Sequence, residues 1–320
     1  MNKTIKNVAK VCLFPAVYLN RKVRETNWYN YNNDLIDIDN YPTNKWYRES
    51  NHLARNYDLI VIGGLTGLYD FNFTGTNIKF FNWSLPSLGF LYTFKTLQNY
   101  FSILKKGGYV LLSLCPISGI VNGNDKEVDD RFYGVLDRSL IDDIKNVQRR
   151  RSYPLLYHPL KSLRCLIKDE PSKHGTRPVR CCHSMSEFEA DASKRLKEWK
   201  KKYDIQAMKG KHSDQMMQRL SMSIDRLRAI VEFCIERDLK LIFIMPPIHT
   251  ALYSKISFEF RRNYIESLVA PFNANGITCL NYMNDRRFID DKYFQNSYIM
   301  SEEGAKLFTK QIINALGLQK

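Results

Sequence analysis

Apolar residues along this chain fall into two alternating patterns. The first is the short unbroken run, as at Asp58–Gly63, Asn77–Asn82, Tyr109–Cys115, Leu241–Met245 and Ile277–Asn281. Runs of this length, bounded by glycine, proline or asparagine, predict strands buried on both faces. The second has apolar residues three and four apart. Leu91, Phe94, Leu97, Phe101 and Leu104 predict a helix over Leu88–Lys105, stopped by Gly107 and Gly108. Met217, Leu220, Ile224, Leu227, Ile230, Val231 and Cys234 mark a longer helix from about residue 214. A further helix covers Ser257–Asn273, and the last begins at Ser301, whose hydroxyl suits an N-cap ahead of Glu302 and Glu303.

Strands alternating with helices specify a parallel sheet covered on both faces. The predicted fold is α/β, a three-layer flavodoxin-like doubly wound sheet of about five strands. Residues 57–118 and 214–320 form its core, and 1–56 form an N-terminal extension. Between 119 and 213 the alternation breaks. That segment is predicted as a basic, mainly helical insertion at the carboxyl edge of the sheet, where α/β proteins place their sites.

Composition adds a charge bias. The chain of 320 residues carries 48 basic and 33 acidic side chains, a net charge of +15. This favours anionic partners, among them acidic polymers and anionic lipid surfaces. The run Arg149–Arg151 and the lysines from Lys194 to Lys202 concentrate it in the insertion. No nucleic-acid module is recognisable, so nucleic acid is not an expected partner. Seven cysteines, odd in number and partly inside apolar runs, read as reduced thiols. Cys181-Cys182-His183 lacks a second ligand pair at zinc spacing, so no metal is expected. Gly63-Gly64-Leu65-Thr66-Gly67 follows a strand without the full dinucleotide fingerprint, and no cofactor is expected. The apolar stretch Val8–Leu19 is too short to span a bilayer, which needs about 20 residues. The expected location is the cytoplasm, with peripheral contact to the inner membrane face through this basic, apolar start.

Three segments, in order, resemble the SGNH (GDSL-type) hydrolases of bacterial surface-polysaccharide and exopolysaccharide clusters. Asp58–Gly67 is similar to the strand and turn that carry the family's nucleophile, and Phe81–Ser87 to the block that supplies an oxyanion-hole glycine. Phe294–Thr309 is similar to the closing motif, where an Asp and a His precede the last helix. The resemblance implies an ester hydrolase or O-acyltransferase scaffold, but the chain departs from it at each reactive position. The nucleophilic serine falls at Gly64 or Leu65, the oxyanion glycine at Pro86, and the acid–base pair at Tyr298 and Ile299. Neither Gly64 nor Leu65 can attack a carbonyl, and Pro86 has no N–H to donate.

The first reading is therefore a catalytically impaired member. It would act in surface-polysaccharide biosynthesis by binding an acidic glycan, a lipid-linked glycan or a protein partner. Asn82, Ser84, Ser87 and Cys115, near the strand ends, are its candidate binding residues. The alternative is an active esterase or O-acyltransferase with relocated groups. In it Thr66 is the nucleophile, His249 the base and Asp285 the orienting carboxylate, a set sufficient for acyl transfer. A second alternative is a basic protein that binds a polyanion through the insertion.

Overall fold

The computed structural model describes residues 15–27, 29, 56–85, 88–121, 132, 136–169, 181–203, 205, 213–274 and 276–318. The chain forms two compact units, Met1–Asn51 with Lys126–Arg177 and His52–Asp125 with Pro178–Lys320. The basic segment read as one insertion is thus divided, because residues 178–213 belong with the sheet.

In chain order, α1 (residues 15–24) precedes β1 (Tyr57–Gly63), α2 (Leu65–Tyr69), β2 (Phe80–Asn82) and α3 (Phe90–Tyr100). Then come β3 (Leu104–Ser113), α4 (Ser118–Val121), α5 (Ile144–Ser152), α6 (Pro154–Tyr157) and α7 (Pro159–Ile167). The long helices α8 (Met185–Tyr203) and α9 (Asp214–Glu236) lead to β4 (Lys240–Met245) and α10 (Thr250–Tyr253). A π-helical turn at Arg261–Glu266 runs into α11 (Ser267–Asn273), followed by β5 (Thr278–Asn281) and α12 (Glu302–Ala315).

The five strands form one all-parallel sheet in the order β2-β1-β3-β4-β5, the flavodoxin-like order. Its centre is apolar on both faces. Leu59–Ile62, Val110–Leu112 and Leu241–Met245 are buried, as helices on both sides require. Large side chains on α3, α9, α11 and α12, among them Leu97, Leu227, Phe272 and Phe308, complete the core.

Two boundaries differ from the pattern-based reading. The helix expected through Lys105 ends at Tyr100, and β3 begins at Leu104 instead of Tyr109. Gly107 and Gly108 therefore lie inside a strand. Gly107 takes φ +69° and donates its N–H to Asp238 O at 3.1 Å, where the register of β1 against β3 shifts. Glycine admits that positive φ, so the pair forms an irregularity in the ladder and not a helix stop. Likewise β2 keeps only three of its expected residues.

Ser301 caps α12 as read from the sequence, its Oγ accepting from Gly304 N at 3.1 Å. Gly304 itself is fixed by space. A Cβ there would stand 2.1 Å from the Tyr293 carbonyl oxygen. Gly304→Ala is expected to cost about 2–3 kcal/mol, as overpacking against rigid backbone does. A melting temperature equal to that of the unmodified chain would contradict this packing.

The Asp70 carboxylate joins the end of α2 to the closing segment by accepting from Met300 N at 2.8 Å. It is fully buried, and its second oxygen has no hydrogen-bond partner among the described residues. Burial raises its pKa well above the usual carboxylate range, with the Met300 N–H partly opposing this. The native chain thus holds this proton more tightly than the unfolded chain. Stability contributed at acid pH should fall as pH rises from about 4 through the native value. In melts from pH 4.5 to 8, Asp70→Asn should flatten the decline. Parallel curves for the two proteins would contradict the assignment.

In the unit formed by Met1–Asn51 and Lys126–Arg177, the described residues are mainly helical. Asn20 on α1 accepts from Leu155 N at 3.0 Å, and Tyr29 donates to Arg151 O at 2.8 Å. Asp169 accepts from the Asn27 backbone N–H, at 3.0 and 3.1 Å from its two oxygens. Among the described residues, no helix is long and apolar enough to cross a membrane.

Candidate functional site

Two parallel strands whose following chains diverge leave a crevice at their carboxyl ends. Here β1 and β3 end at Gly63 and Ser113, and a cavity of about 170 Å³ opens above them. Gly63 has φ +150°, and a Cβ on it would meet Ser113 O at 2.6 Å. A Cβ on Gly67 would lie 2.3 Å from Ser84 Oγ. Both glycines thus serve close backbone approach, which explains the glycine-rich turn without a phosphate. Around Gly64, by contrast, there is open space, and Gly64 and Leu65 line the cavity.

The lining is rich in hydroxyls. Thr66 and Ser113 share a hydrogen bond of 2.9 Å between their side-chain oxygens. Thr93 lines the cavity with a buried hydroxyl that has no partner among the described residues. Cys115, two residues beyond the end of β3, accepts from Ser118 Oγ at 3.2 Å and is also hydrogen-bonded to the Tyr298 hydroxyl. Burial, then the neighbouring Cys115, drives the Tyr298 hydroxyl well above the usual phenol range. Tyr298 is accordingly a neutral donor and not a base. The thiols of Cys234 and Cys279 are pushed up to about 12 and about 11 by burial and are inert.

Arg195 is the one charged side chain among the described residues lining this cavity. Its guanidinium lies 4.7 Å from the centre of the Tyr298 ring, and Trp199 meets that ring edge-on at 5.5 Å. One terminal nitrogen reaches Asp191 at 3.3 Å, while Nε is buried and has no partner among the described residues. Asp191 is held by Ser297, whose N–H and Oγ donate to it at 3.2 and 2.5 Å. The helix α8 explains how a charge reaches this interior. Phe188, Ala192, Arg195 and Trp199 recur at four- and three-residue spacing, so Arg195 sits on the buried stripe.

The expected triad does not assemble. Thr66 reaches the cavity, but His249 and Asp285 make other partnerships. His249 is completely buried, stacked on Phe188 at 3.9 Å and edge-on to Phe294 at 5.2 Å. Its Nδ1 accepts from Ala251 N at 3.1 Å, which places the ring proton on Nε2, and Nε2 donates to Asp291 at 3.0 Å. Both nitrogens are used, and neither faces Thr66. Asp285 caps the 3₁₀ turn at Arg286–Phe288 and pairs with Arg287 at 2.6 Å. These are structural roles.

The other expected positions also divide. Asn82 is buried, donating to Gly67 O and accepting from Ser84 N, both at 2.9 Å. Ser84 packs beneath Gly67. Neither lines the cavity; of the described candidate binding residues, Cys115 does. Tyr298 faces the cavity, Ile299 is core, and Pro86 and Ser87 lie outside the described residues. Thr93, Ser113, Ser118 and Arg195 were not singled out by the sequence. A charged residue on an otherwise apolar helical stripe was the available signal for Arg195.

A larger cavity of about 590 Å³ opens at the amino end of the sheet, beside Asp58, Lys105 and Lys306. Two of its cations are already matched, Lys105 by Asp58 and Lys306 by Glu302. Among the described residues no cluster of His, Cys, Asp and Glu is placed to hold a metal ion. Compared with known proteins, the chain matches no family model and no curated sequence.

Proposed function

We propose that the sheet unit is a non-hydrolytic binding domain whose carboxyl-end cavity takes an acidic sugar unit. The observation that carries this reading is His249, whose two nitrogens are engaged by Ala251 and Asp291. Among the described residues lining the cavity there is no imidazole or carboxylate to activate a hydroxyl or thiol, and acyl transfer requires such a base. The lining suits recognition instead. Thr66, Thr93, Ser113, Ser118 and Tyr298 are hydroxyl groups able to exchange hydrogen bonds with a polyol, and Arg195 offers a cation to a carboxylate. Trp199 and Tyr203 supply aromatic surface. A cavity of about 170 Å³ is smaller than the roughly 300–1,000 Å³ of drug-sized sites, and it suits a single ring.

Set beside the SGNH resemblance, this describes a family scaffold that has lost its nucleophile and oxyanion glycine and retained a pocket. The corresponding role is to hold an acidic or lipid-linked glycan during bacterial surface-polysaccharide assembly. Titration with glucuronate and with glucose tests it. Glucuronate should raise the melting temperature in a saturable way and glucose should do so far more weakly. Equal responses to both sugars, or none to either, would remove the proposal.

A further inference from the structure

The helix α7 turns its apolar side outward. Leu160, Leu163 and Ile167 are 82%, 47% and 88% exposed, whereas Ser162 and Cys165 face inward. At about 100° per residue, Leu160, Leu163 and Ile167 fall within one narrow arc. Lys161, Arg164 and Lys168 occupy the neighbouring arc, between the apolar side and the buried side, and all three are exposed. The same unit also exposes Leu156, Tyr153 and Tyr157, and on α1 Val17 and Tyr18. From Arg149 to Lys168 there are six Lys and Arg residues and no Asp or Glu.

We propose that this unit docks on an anionic lipid bilayer, with α7 lying in the plane of the interface. The charge pattern selects this occupant. Protein interfaces exclude lysine from their apolar centres, and two copies of this face would bring like charges together. An anionic lipid surface instead accepts an apolar stripe and a basic stripe side by side. Exposed tyrosines suit the headgroup level. Nine residues at 1.5 Å each cannot span the bilayer, so the helix rests on it. This inference stands apart from the sugar-binding reading, because its residues lie in the other unit.

Vesicle flotation with the full chain tests it, using phosphatidylcholine alone and phosphatidylcholine with about 30% phosphatidylglycerol at moderate salt. The chain should float with the anionic vesicles at least about tenfold more than with the neutral ones. Leu160→Ser, Leu163→Ser and Ile167→Ser combined should lower that binding about tenfold while the melting temperature holds, since these side chains are already exposed. Lys161→Gln with Arg164→Gln should remove the preference for anionic vesicles. Absence of flotation with either vesicle would overturn the proposal. So would wild-type flotation by the triple serine variant, which would mark non-specific charge attraction. A concentration-dependent dimer that the serine variant abolishes, with no lipid binding, would assign the face to a second copy.

Discussion

Arg195→Gln should abolish the thermal shift produced by glucuronate and leave the weaker response to glucose unchanged. The guanidinium is the cavity's one charged group among the described residues, so a carboxylate loses its counter-charge when it is removed. The same substitution should also destabilise the free protein. Arg195 is paired with Asp191 and lies over the Tyr298 ring, and Asp191 is itself nearly buried. Breaking a partly buried pair leaves a carboxylate with only the Ser297 donors, at a cost of about 2–4 kcal/mol. Arg195→Lys separates the two effects. It restores charge but not the planar fork, so stability should recover further than sugar affinity. Undiminished glucuronate binding by Arg195→Gln would place the acidic group elsewhere.

His249→Ala should destabilise the fold by roughly 3–5 kcal/mol, comparable to deleting a large buried aromatic ring. The imidazole stacks on Phe188, caps α10 through Ala251 and donates to Asp291, so one truncation removes packing, a cap and a hydrogen bond together. His249→Gln retains a side-chain acceptor and should recover part of the loss. A catalytic base would give the opposite result, with activity lost and the fold maintained. A small change in melting temperature on His249→Ala would therefore argue against a structural role.

The sheet was legible because its signals are local and strong. Leu59–Ile62 and Leu241–Met245 are apolar without interruption, and only burial on both faces tolerates that. Gly107 misled because a glycine at positive φ serves a strand irregularity as well as a helix end. The site was less legible because its chemistry depends on non-local facts. Thr66, His249 and Asp285 each follow a strand, which makes them plausible partners by topology. Only packing reveals that Ala251 and Asp291 occupy both faces of the imidazole's chemistry. Arg195 lay inside a segment that looked like a solvated basic insertion. Its identity as a partly buried, cavity-facing charge depends on Phe188, Ala192 and Trp199 being buried on the same stripe. Gly64 and Leu65 line the cavity, and neither side chain can act as a nucleophile.

Whether the cavity performs ester chemistry is decided most directly by turnover of p-nitrophenyl acetate and longer acyl esters. At high concentrations of the purified full chain, hydrolysis should equal the rate in buffer with denatured protein. Thr66→Ala, Cys115→Ala and His249→Gln should leave that background unchanged. Saturable turnover above background that any of these three substitutions removes would contradict the non-hydrolytic account.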